Sequence, residues 1–166
     1  MLPQGRRAAA AGPASLEGLV NGCGRRGIVW DVASTENRTE PVLRGATEHE
    51  ENAVGIVRSV LTPELLPPEW QNHPHPIGGY CYVASEALYY LLGGREAGLR
   101  VKRAPCVGGE HWWLEGRGDK LIDATADQFE GDFDYSKGIA SEFLTPEPSP
   151  RAVKIMLRVG AAGLSL

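Results

Sequence analysis

Three residues whose types act together in nucleophilic catalysis occur in the second half of the chain. They are Cys81 in "GGYCYVASEALYYLL", His111 in "EHWWLE" and Asp123 in "LIDATADQF". A cysteine attacks an acyl carbon as its thiolate, so it needs a base, and an imidazole base needs an acceptor that orients its second ring nitrogen. The set therefore predicts a nucleophile, a general base and an orienting acid. Asp127 is an alternative for the acid.

The elements predicted around these residues would bring them together. Two prolines and two glycines in "QNHPHPIGGY" break regular structure, and apolar spacing then predicts a helix that begins at Cys81. Unpaired N–H groups at a helix N-terminus favour a thiolate and can receive an oxyanion. Three short strands are predicted in "LRVKRAPCV", "EHWWLEG" and "DKLIDATA", and a hairpin through "GRGD" would place Asp123 beside His111.

The remaining sequence predicts one α+β domain over residues 27–166, preceded by a mobile arm over residues 1–26. Thr47 is the predicted cap of a helix in "EHEENAVGIVRSVL", and Ser149 with Pro150 begins a predicted final helix. "GIVWDVAS" reads as a strand and "TENRTEPVLRG" as a loop. Residues 127–149 are predicted to be irregular.

Composition excludes several classes of function. The 17 basic and 21 acidic residues give a net charge of −4 and form no basic stripe, so nucleic acid is not an expected partner. No apolar run reaches the roughly 18 residues that span a bilayer, so no membrane partner is expected. Three cysteines without paired spacing argue against a disulfide framework and favour a cytoplasmic protein.

The order of these motifs resembles the transglutaminase-like branch of the papain-like cysteine enzymes. In that family a cysteine opens a helix, His-x-Trp lies on one strand, and Asp-Pro-Thr follows on the next. The resemblance covers residues 78–129, the expected catalytic core, although Ala124 replaces the usual proline. It implies a papain-like fold in which the nucleophile helix packs on a small antiparallel sheet. Cys81, His111 and Asp123 match the catalytic residues, and the chain is similar to short bacteriophage proteins.

Such an enzyme would hydrolyse or transfer an amide or thioester acyl group through an acyl-Cys81 intermediate, with a protein, peptide or small amide as substrate and no cofactor. Trp113 would project on the same side as His111 and wall the acyl site. The second donor to the oxyanion would come from residues upstream of the nucleophile. The candidates are Gln71, Asn72 and His75, and Tyr80 is a further candidate for substrate binding.

Two other functions fit the same residues. Cys106 and His111, with Cys81 and with His73 or His75, offer the nitrogen and sulfur ligands that zinc prefers. Alternatively, the chain is a catalytically inactive papain-like scaffold that binds a protein partner through its aromatic residues. In that case loss of the Cys81 thiol would leave the biological activity unchanged.

Overall fold

The computed structural model describes residues 40–163. In this part of the chain three helices pack on one antiparallel sheet, so the predicted α+β class is confirmed. The helices are α1 (Glu48–Ser59), α2 (Cys81–Leu91) and α3 (Pro150–Ala161). The strands are β1 (Val42–Arg44), β2 (Arg100–Cys106), β3 (Gly109–Glu115), β4 (Leu121–Asp123) and β5 (Ile139–Ser141).

The sheet has the strand order β1-β4-β3-β2-β5, and every neighbouring pair is antiparallel. Because side chains alternate across a strand, the two tryptophans of β3 belong to different clusters. Trp112 packs into the main core with residues of the helices, whereas Trp113 packs into a second cluster with Ala104 and Leu121. Phe133 and Tyr135 cover this second cluster.

Helix α2 lies against β3 and begins at Cys81, as predicted. Its buried residues fill the main core, and the Ser85 hydroxyl donates a hydrogen bond of 3.0 Å to the backbone carbonyl of Trp112. This bond fixes the helix relative to the strand that carries His111. Beyond the helix, Gly93 has a φ of +83°, which ends the helical path as the sequence predicts.

The other two helices also begin where their capping residues predict. The Thr47 hydroxyl accepts a hydrogen bond from the Glu50 amide, and the Glu50 carboxylate accepts one from the Thr47 amide. Ser149 caps α3 by accepting from the Ala152 amide. The fully buried Glu86 of α2 accepts hydrogen bonds from the Ser149 amide at 3.0 Å and from its hydroxyl at 2.6 Å, which ties α3 to α2.

Two strands differ from the sequence prediction. β1 lies in the segment predicted to be a loop, where Val42 pairs with Asp123 of β4, and β5 lies in the segment predicted to be irregular, where it pairs with β2. Each has only three residues, so distant partners stabilise it and no local pattern reveals it. The predicted arm over residues 1–26 and the predicted strand over residues 27–34 lie outside the described residues.

One prediction about the cysteines is wrong. Cys106 is disulfide-bonded, whereas Cys81 is a free thiol. The spacing of the cysteines did not indicate this pairing. Over the described range, no helix is long and apolar enough to cross a membrane.

Candidate active site

Cys81 is the first residue of α2, and its side chain is buried with 5% exposure. The Sγ atom lies 3.7 Å from the backbone carbonyl oxygen of Glu110, the residue before His111 on β3. No side chain caps this end of α2 among the described residues. The thiol therefore sits at the open, positive end of a helix dipole and next to the strand that carries the predicted base.

His111 and Asp123 form a buried pair. The His111 Nε2 atom lies 2.6 Å from the Asp123 Oδ2 atom, and the two side chains are 0% and 1% exposed. The ring of His111 is enclosed by aromatic rings: Trp113 stacks on it at 5.9 Å, and Phe129 and Phe133 each meet it at 4.7 Å. This enclosure keeps water away from the ion pair, so the charge interaction between the two side chains is strong.

Asp123 accepts further hydrogen bonds that hold its carboxylate in place. The Thr125 amide donates to Oδ1 at 2.9 Å, and the Thr125 hydroxyl lies 3.3 Å from the same atom. The Tyr135 hydroxyl donates to Oδ2 at 2.7 Å. Both carboxylate oxygens are therefore satisfied, and the side chain that orients His111 is itself oriented by three donors.

The pKa of His111 reflects these surroundings. Burial alone lowers the pKa, because the imidazolium loses its hydration in the interior. The charge of Asp123 and its hydrogen bond, together with a hydrogen bond to Cys81 and the charge of Cys81, outweigh burial and raise the pKa of His111 to about 9. Because Nε2 is engaged by Asp123, Nδ1 is the nitrogen that remains available to exchange a proton with Cys81.

Gln128 also reaches this nitrogen. Its Nε2 atom lies 3.2 Å from the His111 Nδ1 atom, 2.9 Å from the Thr125 carbonyl oxygen and 3.1 Å from the Thr125 hydroxyl. Gln128 ends a short 3-10 helix, Ala126–Gln128, directly after β4. The turn that carries Thr125 and Gln128 therefore contacts both nitrogens of the imidazole, one through Asp123 and one directly.

Arg58 of α1 anchors this turn. Its guanidinium donates to the Ala124 carbonyl oxygen and forms a bidentate pair with Asp127 at 2.9 and 2.7 Å. The hydrogen bond to Asp127 outweighs burial and raises the pKa of Arg58. Asp127 is thus occupied by Arg58, and of the two aspartates considered from the sequence the structure pairs Asp123 with His111.

A cleft of about 610 Å³ opens beside Cys81. The first turn of α2, from Cys81 to Val83, forms part of its wall, and Trp70 and Trp112 supply aromatic surface. Glu110 and Arg151 are its charged lining residues in the described chain. An acyl group in this cleft would lie next to the thiol and the free N–H groups of the helix.

The five predicted substrate-binding residues lie elsewhere, since none of them lines this cleft among the described residues. Trp113 is fully buried behind His111, and Tyr80 is 3% exposed in the main core, where burial raises the pKa of its phenol. Gln71 donates to the Leu66 carbonyl oxygen, and the Nδ1 atom of His75 accepts from the Ile77 amide. Asn72 is exposed.

Trp112, Thr125 and Gln128 also lie near the site, and the sequence did not single them out as site residues. Trp112 takes the aromatic place in the cleft that was expected of Trp113, because Trp113 packs into the second cluster and Trp112 into the main core with the helices. From the sequence, Thr125 and Gln128 are only polar residues that follow a predicted strand, and no pattern indicates their contacts with Asp123 and His111. Within residues 40–163, no group of three or more histidine, cysteine, aspartate or glutamate side chains could hold a metal ion.

The chain matches no family model, and neither the curated proteins nor the solved structures yield a match to it. The resemblance to transglutaminase-like enzymes therefore rests on the order and spacing of the motifs around Cys81, His111 and Asp123. The geometry of these three side chains is the basis for any functional conclusion.

Proposed function

We propose that the protein is a cysteine-dependent acyl-transfer enzyme of the transglutaminase-like, papain-like kind. The observation that supports this most strongly is the His111 ring, whose Nε2 atom is bonded to a buried carboxylate, on the strand whose preceding residue, Glu110, contacts the Cys81 thiol. A base oriented in this way is what a weak nucleophile needs.

In the proposed reaction the proton of Cys81 moves to the Nδ1 atom of His111, and the thiolate attacks the acyl carbon of a substrate in the cleft. The oxyanion faces the N–H groups in the first turn of α2. His111 then gives its proton to the leaving amine or thiol, and an acyl-Cys81 thioester remains. Water or a second nucleophile attacks this thioester while His111 accepts its proton. The thiol is regenerated when His111 returns the proton to sulfur.

Asp123 takes no direct part in these proton transfers. It holds the ring so that Nδ1 faces the thiol, and its charge stabilises the imidazolium. The three donors to its carboxylate keep it from turning away from His111. Trp113, Phe129 and Phe133 enclose the ring and limit the access of water, which strengthens the stabilisation of the imidazolium by Asp123.

The direct test uses p-nitrophenyl acetate, a small activated ester. We expect a rapid release of nitrophenol, about one equivalent per protein, followed by a slower steady rate. Mass spectrometry of the quenched protein should locate one acetyl group on the peptide that contains Cys81.

Three comparisons make this test decisive. Cys81→Ala should lose the burst, and His111→Asn should slow it by at least roughly a hundredfold, the usual size of general-base catalysis. Heat-denatured wild-type protein measures the reactivity of an unassisted thiol. Acetylation of Cys81 that is no faster in the folded protein than in the denatured one would refute the proposal.

A further inference from the structure

Gln128 lies beside the ring nitrogen of His111 through which a proton would pass to or from Cys81. Asp123 occupies Nε2 at 2.6 Å, so only Nδ1 is left to exchange a proton with Cys81. The Gln128 amide nitrogen lies 3.2 Å from that same Nδ1 atom. Gln128 and Cys81 therefore compete for one position on the ring.

The orientation of the Gln128 amide follows from its contacts with Thr125. The Nε2 atom lies 2.9 Å from the Thr125 carbonyl oxygen, and a carbonyl oxygen only accepts hydrogen bonds. The amide NH₂ group, and not the amide oxygen, must face this carbonyl. One of its two hydrogens serves this carbonyl, and the other is shared between the Thr125 hydroxyl oxygen at 3.1 Å and the His111 Nδ1 atom at 3.2 Å.

A donor at this position opposes the ion pair that catalysis needs. When the proton of Cys81 moves to Nδ1, that nitrogen becomes a donor, and two N–H groups then face each other across 3.2 Å. We propose that Gln128 is a positioning residue that opposes protonation of the His111 Nδ1 atom, and so limits transfer of the Cys81 proton to the ring until the Gln128 amide leaves it. This inference rests on the proposed function of Cys81 and His111.

The other groups around His111 act in the opposite direction. Asp123 of β4 and Cys81 of α2 are the charged or titratable groups that favour the imidazolium. Tyr135 reaches the ring only through Asp123, and the charge of Arg58 in α1 acts on Asp123. Gln128 therefore offsets part of this stabilisation. It is only partly buried and ends a 3-10 turn, so its side chain can move without disturbing the core.

The test measures the thiolate of Cys81 by its ultraviolet absorbance at neutral pH, with Cys81→Ala as the blank for the other thiols. Gln128→Met keeps the length of the side chain and removes the donor, and Gln128→Ala is a second variant. In both, we expect the ratio of thiolate to thiol to rise roughly two- to tenfold, the effect of one ordinary hydrogen bond. In NMR titrations the midpoint of the His111 ring should move to higher pH.

Gln71→Met is the matched control, because Gln71 also donates to a backbone carbonyl but lies outside the site. It should leave both readouts unchanged. An unchanged or lower thiolate ratio in both folded Gln128 variants would overturn the proposal, even if acyl-Cys81 forms. A higher ratio in a protein that never forms acyl-Cys81 would support the role of Gln128 and refute the proposed function instead.

Discussion

The Nε2 atom of His111 lies 2.6 Å from the Oδ2 atom of Asp123, in a site where neither side chain has more than 1% exposure. A hydrogen bond this short between a buried imidazole and a buried carboxylate stabilises the protonated form of the histidine. The pKa of His111 accordingly rises from its ordinary value of 6.5 to about 9. Both the stability and the reactivity of the protein should depend on this proton.

The first prediction concerns stability as a function of pH. Because the folded protein binds the His111 proton more tightly than the unfolded chain, the stabilisation is complete below pH 6.5 and is lost as the pH rises through about 9. The free energy of unfolding in urea should fall across this window. Asp123→Asn, which removes the charge, should show a much smaller fall. An equal fall in both proteins would assign the effect to other groups.

The second prediction separates Asp123 from Asp127. Asp127→Asn removes the carboxylate that pairs with Arg58, so we expect a loss of about 1.5–3 kcal/mol in unfolding free energy. Acetylation of Cys81 by p-nitrophenyl acetate should stay within a few-fold of wild type. Asp123→Asn should slow that acetylation by at least roughly a hundredfold. The assignment of the orienting acid would be reversed if the two variants exchanged these behaviours.

The third prediction concerns Tyr135. Its hydroxyl shares the Oδ2 atom of Asp123 with His111, so it draws part of the carboxylate charge away from the ring. Tyr135→Phe should cost about 1 kcal/mol of stability and should raise the pKa of His111 further. An NMR titration of the His111 ring measures the shift. A lower midpoint would show that Tyr135 supports the imidazolium.

The fourth prediction concerns Gly79 at the edge of the cleft. Its φ is +84°, and a Cβ atom at this position would lie 3.0 Å from the ring of Trp70. Gly79→Ala should therefore cost more than the about 1–2 kcal/mol of the backbone conformation alone. It should also weaken the binding of a substrate in the cleft, because the ring of Trp70, which lines the cleft, must shift.

Gly118 offers the matched control for this change. Its φ is +66°, and a Cβ atom there would meet no atom within 4 Å. Gly118→Ala should therefore show the backbone cost without the contact with Trp70. Equal losses of stability in the two alanine variants, measured by urea unfolding, would argue against the contact.

The sequence was informative where local chemistry decides the structure. Thr47 and Ser149 cap their helices as predicted, and Cys81 opens α2 because the prolines and glycines before it exclude a helix. Alternating residues and the "GRGD" turn were sufficient to bring Asp123 to His111. The placement of the three predicted catalytic side chains thus follows from features within short stretches of chain.

The rest depends on contacts between distant segments. β1 is a strand only because β4 lies beside it, and the cleft is formed by Trp70, Trp112 and α2, which come from three separate parts of the chain. Trp112 lines the cleft and Trp113 does not, because the helices cover the face of β3 that carries Trp112. Local periodicity fixes the alternation of the two tryptophans but does not choose the covered face.

The pairing of β1 with β4 also has a consequence for folding. It joins residues 42–44 to residues 121–123, and the Arg58–Asp127 pair spans 69 positions. Contacts this far apart close large loops and form slowly during refolding, so the strand that carries Asp123 pairs early with β3 through the local hairpin and late with β1. The Cys81 thiol should therefore become fast-reacting only after most of the circular-dichroism signal of the helices has returned. The rate at which Cys81 reacts would then report on the last step of folding.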